Sequence, residues 1–350
     1  MTAVLGPHTV EAMQRTWADG HAVLPVDDRL PPPARDALLD ALGAGREVGD
    51  DDALVLATSG TTGAPRGVVL TFEALAAAAM ATSARLDVDP DRDRWLAVLP
   101  LAHVGGLSVI TRSLATGTPF TFEHDDRSAT LVSVVPTQLH RGDVDPGRFR
   151  KVVVGGSADW RPAPPNAVHT YGMTETAGGV VYDGRPVDGV EVRVDRTDGQ
   201  VLLRGPMLLR CYRDGTDPKT ADGWLPTGDA GRLDDDGRLV VLGRMDDVIV
   251  TGGEKVWPDA VERVLRSCPG VAEVAVAGRA DDEWGTRVAA FVVPVDWSAP
   301  PTLDGLRDAV KAVMPAYAAP KELVLLATLP RTALGKVRRR ELEDIDPPNG

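Results

Sequence analysis

The chain has 350 residues, enough for a large core and roughly two or three structural units. Its 43% hydrophobic and 25% charged content fits an ordinary soluble globular protein, and a net charge of −13 argues against a general nucleic-acid binder. The two cysteines, Cys211 and Cys268, lack metal-site spacing and imply no disulfide framework, so the reducing cytoplasm is the expected compartment. Residues 1–10 do not read as a leader, and the Ala-rich run 74–81 is too short to span a membrane.

Residues 1–50 carry little chemistry. Helices are expected near 10–17 and, after Pro31-Pro32-Pro33, over 34–42. Ala53-Leu54-Val55-Leu56-Ala57 then reads as a buried strand. It delivers Thr58-Ser59-Gly60-Thr61-Thr62-Gly63-Ala64-Pro65-Arg66-Gly67, ahead of Val68-Val69-Leu70 and a helix over 72–84 capped by Thr71. Glycines let a backbone approach a ligand closely, hydroxyls and N–H groups suit phosphate oxygens, and Arg66 adds positive charge. A polar surface turn is the plain alternative. The loop lacks the Gly-Lys-Ser/Thr ending of a P-loop, so it is read as a phosphate loop of another kind.

Residues 94–100 form the next expected strand, leading through Leu101-Ala102-His103-Val104-Gly105-Gly106-Leu107 into a helix that runs to Leu114. Further apolar strands are expected at 120–122, 131–136 and 151–156. Apolar strands alternating with helices predict an α/β unit with a mainly parallel sheet, whose binding loops gather at the C-terminal strand ends. The 58–67, His103, Gly155 and Tyr171 loops all fall at such ends. After Gly184, short strands at 190–194, 200–204 and 239–242 suggest a small barrel-like subdomain ending near Gly243. Residues 244–247 read as a linker. A compact α+β pattern follows, with helices over 258–265 and from Thr302 to Val313, strands at 271–277, 288–293 and 323–326, and a basic tail at 331–340.

Five ordered blocks carry a resemblance: the 58–67 loop, Tyr171-Gly172-Met173-Thr174-Glu175, Thr227-Gly228-Asp229, Gly243-Arg244-Met245-Asp246-Asp247 and Pro330-Arg331-Thr332-Ala333-Leu334-Gly335-Lys336. In this order the chain resembles the adenylate-forming superfamily of acyl- and aryl-CoA ligases, luciferases and peptide-synthetase adenylation domains. The resemblance implies an α/β fold with a large N-terminal domain over 1–243, a hinge at 244–247 with Asp246 as pivot, and a small mobile C-terminal domain over 248–350. It implies ATP, Mg²⁺ and coenzyme A, with a carboxylate attacking ATP and a thiol then displacing AMP. It assigns Thr58, Ser59, Gly60, Thr61, Thr62, Gly63 and Arg66 to the phosphates, although relatives commonly carry lysine at the position of Arg66. Glu175 becomes the metal ligand and Thr174 lies beside the reacting phosphate. Gly155, Tyr171 and Gly172 line the nucleotide, Asp229 and Arg244 meet the ribose, and Lys336 is the adenylation lysine. Gly252, Gly253 and Lys255 belong to the loop that serves thioester formation.

The segment Leu99-Pro100-Leu101-Ala102-His103-Val104-Gly105-Gly106, with Gly252-Gly253-Glu254-Lys255 and the short chain, is most similar to the 2-succinylbenzoate–CoA ligases of menaquinone biosynthesis, actinobacterial members especially. That branch implies His103, Gly105 and Gly106 at the acyl pocket, with the glycines leaving room for a bulky acid and His103 near the thiol passage. The aromatic carboxylate of the substrate needs a polar partner, for which His169 and Ser157 are candidates. Other aryl- or medium-chain acyl-CoA ligases, an adenylation enzyme loading a carrier protein, and a nonenzymatic nucleotide sensor are the alternatives. The expected partners are a small carboxylic acid and coenzyme A, without nucleic acid or integral membrane contact. The short N-terminal region leaves a homodimer open.

Overall fold

The computed structural model describes residues 2–4, 9–59, 65–156, 164–331 and 337–345. It divides into a larger unit (Met1–Arg193, Leu202–Thr227, Leu233–Leu239) and a smaller one (Val194–Val201, Gly228–Arg232, Val240–Gly350). The mixed α/β architecture agrees with the expected fold class.

The larger unit carries two sheets. The first has the order Thr2–Val4, Val23–Pro25, Asp52–Ser59, Pro65–Thr71, Cys211–Tyr212. Asp52–Ser59 and Pro65–Thr71 pair antiparallel, with Thr58 opposite Arg66, so the two described ends of the expected phosphate loop lie side by side in one hairpin. Cys211–Tyr212 pairs antiparallel with the outer side of that hairpin, at Val69 and Val68. Val23–Pro25, a fully buried strand, came from a region that looked uninformative. Three residues are too few to display a period.

The second sheet has seven strands in the order Arg185–Pro186, Gly178–Tyr182, Ala167–Met173, Lys151–Val154, Leu131–Val134, Trp95–Leu96, Phe120–Thr121. The pairings from Ala167–Met173 to Phe120–Thr121 are all parallel. Gly178–Tyr182 joins antiparallel. Leu131–Val134 is buried throughout, as continuous apolar strands covered on both faces should be. Helix Phe72–Leu86 starts at Thr71, whose hydroxyl accepts from Ala74 N at 3.1 Å. It packs against helix Val104–Thr116, and both lie against Gly178–Tyr182.

A four-stranded sheet, Glu191–Val194, Gln200–Arg204, Leu225–Leu233, Leu239–Arg244, contributes residues to both units. In the smaller unit, strands Val271–Asp281, Gly285–Pro294 and Glu322–Leu325 form a sheet beside helices Pro258–Leu265 and Leu303–Lys311. Thr302 caps the second helix, accepting from Gly305 N at 3.2 Å. Val261, Leu265, Val276 and Val292 are among its fully buried side chains. Arg339 enters this unit with its guanidinium on Asp247, Asp259 and Glu262, tying the 245–247 turn to the end of the described chain.

Candidate active site

Glu175 lies on the 3₁₀ turn Thr174–Thr176, directly after strand Ala167–Met173. The turn is set by Thr176, a buried hydroxyl that accepts from Met173 N at 2.9 Å and donates to Gly178 O at 2.7 Å. Gly172 is required by close approach, since a Cβ there would stand 2.0 Å from the Gly178 carbonyl oxygen. Leu209 N donates to Glu175 O at 2.7 Å, and the Tyr212 hydroxyl donates to Glu175 Oε1 at 3.1 Å. That hydroxyl is the one hydrogen-bond partner of the carboxylate among the described residues. Burial first, and then the Glu175 charge, push the Tyr212 phenol up to about 12, so it is a neutral donor at physiological pH.

Arg66 is exposed beside the same tyrosine. Its guanidinium lies 3.7 Å from the Tyr212 ring centroid and 3.7 Å from Asp214 Oδ2. Thr58 Oγ1 donates to Arg66 O at 3.2 Å across the hairpin. Glu175 and Arg66, the expected metal and phosphate groups, thus meet one side chain. No group of three or more His, Cys, Asp or Glu side chains that suits a metal stands together among the described residues. Glu175 alone fits magnesium, which is commonly held by one or two carboxylates together with substrate phosphates. Gly155 follows strand Lys151–Val154, and a Cβ there would come within 3.1 Å of Thr170.

The other expected cluster surrounds helix Val104–Thr116. His103 precedes it, with Nε2 buried and without a partner among the described residues. Burial lowers the imidazole pKa, opposed by the Asp27 carboxylate. Asp27 and Arg29 also line a cavity of about 510 Å³ with Leu99, Pro100, Phe122 and His124. Gly106 leaves less room than its sequence suggests. A Cβ there would lie 2.4 Å from both the Leu99 and Pro100 carbonyl oxygens, so the glycine serves the close passage of helix and loop. Gly105 meets only a Leu99 methyl, at 3.4 Å, and is the more permissive of the two.

Sequence reasoning missed Arg112. It is 4% exposed, stacks on Trp95 at 4.5 Å, and leaves Nη1 without a hydrogen-bond partner among the described residues. Burial lowers its pKa, and the one opposing influence is the Tyr182 phenol, not a carboxylate. A cavity of about 10 Å³ beside it is lined by Ser108, Thr111, Thr82 and Gly179. That is about the space of one water, and its polar rim suits one. Thr170 Oγ1, also buried without a partner, reaches the same Gly179. Strand alternation places His169 on the opposite face from Thr170, away from this cavity. The available signal for Arg112 was one charge within the apolar helix run around Val109 and Ile110.

In the smaller unit, Asp229 is 7% exposed and Arg244 Nη1 bonds its Oδ1 at 3.0 Å. Gly228 has φ +71°, and a Cβ there would stand 2.8 Å from an Arg244 nitrogen, so the glycine also makes room for this arginine. Asp246 is exposed on the turn Met245–Asp247. Gly252 and Gly253, with φ +58° and +85°, turn the hairpin Ile249–Thr251/Glu254–Val256, and Lys255 is exposed on it. Gly252 N donates to Trp284 O at 3.0 Å, while Lys321 Nζ lies 3.3 Å from the Trp284 ring centroid. Gly60, Thr61, Thr62, Gly63, Ser157 and Lys336 fall outside the described residues, as does the Ser59 side chain.

Two family models match the chain: AMP-binding enzyme over residues 44–141 and AMP-binding enzyme C-terminal domain over 260–336. The chain is 39% identical over 344 residues to a probable 2-succinylbenzoate–CoA ligase of Mycobacterium tuberculosis (strain CDC 1551 / Oshkosh), covering 89% of each. It is 35% identical to the 2-succinylbenzoate–CoA ligase of Listeria monocytogenes serotype 4b (strain F2365), covering 83% of this chain and 70% of that one. Its structure is similar to o-succinylbenzoate CoA synthetase from Bacillus subtilis in complex with the acyl-adenylate intermediate OSB-AMP. That match has TM-score 0.86 and 27% identity, over 99% of this chain and 88% of the other. The same Bacillus enzyme with ATP and magnesium ion matches with TM-score 0.84 and 27% identity, over 98% and 88%.

Proposed function

This chain belongs to the 2-succinylbenzoate–CoA ligase family of AMP-binding enzymes, and we propose that its residues divide the work of joining 2-succinylbenzoate to coenzyme A in the following way. A succinyl carboxylate oxygen attacks the α-phosphorus of ATP, and pyrophosphate leaves. The thiolate of coenzyme A then attacks the acyl carbonyl of the adenylate, and AMP leaves with the bonding pair. The products are 2-succinylbenzoyl-CoA, AMP and pyrophosphate.

Charge is the obstacle to the first step, because an anion must approach a polyanion. Arg66 and the hydroxyls and N–H groups of 58–63 hold the phosphate tail. Magnesium, when bound, neutralises charge on the phosphate oxygens, and Glu175 is the residue that holds it. Thr174 lies beside the reacting phosphate, and Gly155, Tyr171 and Gly172 flank the nucleotide. Asp229 accepts from the ribose hydroxyls, with Arg244 orienting it. Lys336 donates to the attacking carboxylate and the α-phosphoryl oxygens. For the second step, turning at Asp246 brings Gly252, Gly253 and Lys255 into use, and a neutral His103 borders the thiol passage. A cytoplasmic enzyme is the compartment this reading favours. Among the described residues no helix is long and apolar enough to cross a membrane.

The observation that carries the choice of acid is Arg112, a buried guanidinium lacking a carboxylate partner among the described residues. A second carboxylate on the substrate supplies the missing charge through one water in the adjacent cavity. Benzoate and octanoate, with a single carboxylate consumed in the reaction, leave it unpaired. The test is acid-dependent pyrophosphate release with coenzyme A present. Preference for 2-succinylbenzoate over benzoate and octanoate is expected, with the CoA thioester as the mass-identified product. A folded, ATP-binding sample that is inactive with 2-succinylbenzoate contradicts the reading.

A further inference from the structure

Tyr212 touches both halves of the proposed phosphate machinery and belongs to neither motif. Its ring carries the Arg66 guanidinium at 3.7 Å, and its hydroxyl holds Glu175 Oε1 at 3.1 Å. The backbone around it repeats the connection. Tyr212 pairs with Val68 in the hairpin, Arg213 N donates to Gly67 O at 2.7 Å, and Leu209 N donates to Glu175 O at 2.7 Å. One short segment, 209–213, is therefore fastened to the hairpin and to the Glu175 turn at once. We propose that Tyr212 is a positioning residue that fixes the metal-holding carboxylate of Glu175 and the phosphate-holding guanidinium of Arg66 in one register. The proposal rests on the reading of Glu175 and Arg66 given above.

A half-buried carboxylate with one hydrogen bond has one oxygen fixed and the other left to a cation. Removal of that bond frees the side chain to rotate, and ordering it again on metal binding costs entropy. Arg66 is 42% exposed in its side chain, and among the described residues its one acid within ion-pair range is the exposed Asp214 at 3.7 Å, a weak restraint. The aromatic face gives it a platform that a surface pair does not.

Tyr212→Phe removes the hydroxyl and keeps the ring. It is expected to raise the magnesium concentration needed for half-maximal ATP binding by about tenfold, read by calorimetry, while magnesium-free ATP binding and thermal unfolding stay near wild type. Pyrophosphate release should recover to within about threefold of wild type at saturating magnesium. Tyr212→Ala is expected to weaken magnesium-free ATP binding as well, by about threefold to tenfold, since Arg66 loses its platform. Glu175→Gln is the control for the underlying reading. If it shifts the magnesium dependence and Tyr212→Phe does not, the positioning role is overturned and the reading of Glu175 stands. If neither shifts it, the reading of Glu175 fails and the proposal fails with it.

Discussion

Glu175 and Arg112 sit in the same unit and are held in opposite ways. Glu175 already has its hydroxyl donor, and its neighbour Arg66 has an aromatic face and a nearby acid. Arg112 is deeply buried, with one nitrogen unpartnered and no carboxylate against it among the described residues. In the proposed reading the nucleotide end is arranged in advance by the protein's own contacts, whereas the acid end keeps a charge for the substrate to complete. Buried charge without a partner is destabilising, so its retention is better explained by recognition than by folding. The two ends should consequently fail differently when broken.

The largest effect is expected at the nucleotide end. Glu175→Gln should lower pyrophosphate release by about 100-fold or more, and by the same factor for every acid offered, because the phosphate chemistry is common to them all. Unequal losses between acids would blur the separation of the two ends. At the acid end the informative quantity is stability. Arg112→Met exchanges a buried cation that has no carboxylate partner among the described residues for an apolar chain of similar length, so unfolding free energy should hold or rise by about 1 kcal/mol. A fall of about 2 kcal/mol or more in denaturant titration would mean the guanidinium has a structural partner after all.

Smaller effects refine the same contrast. His103 has a folded pKa depressed below its usual 6.5, chiefly by burial. As pH falls below 6.5 the unfolded chain takes up the proton first, so stability is lost down to the folded pKa and is level below it. At full effect this amounts to about 1.4 kcal/mol per pH unit, and His103→Gln should remove that part of the acid dependence. Arg66→Lys keeps charge but loses the planar stack on Tyr212, so ATP-dependent release should fall by only about threefold.

These contrasts also explain what the sequence revealed. Adenylation needs glycines, hydroxyls and carboxylates at fixed short spacing, so Thr174-Glu175, Gly228-Asp229 and the 58–67 loop stood out as contiguous blocks. The apolar strands and the caps at Thr71 and Thr302 were legible for a similar reason, since their signals are local. Arg112 and Tyr212 were not, because each acts through contacts distant in sequence: Arg112 through Trp95, Tyr212 through Arg66 and Glu175. Gly106 was read as space for ligand, and Gly228 stood in the block assigned to the ribose. A loop backbone and an arginine already fill much of that space. A glycine in sequence reports that something approaches closely without saying what.

In the proposed reading Arg112 pairs with the ring carboxylate of the acid. The direct measurement is kcat/KM for 2-succinylbenzoate and for 3-benzoylpropanoate, which is the same acid without its ring carboxylate, in wild type and Arg112→Met. Wild type should prefer the diacid, and the substitution should reduce that preference by about 100-fold by loss of rate with the diacid alone. An unchanged ratio, with both acids slowed equally or neither slowed, would contradict it.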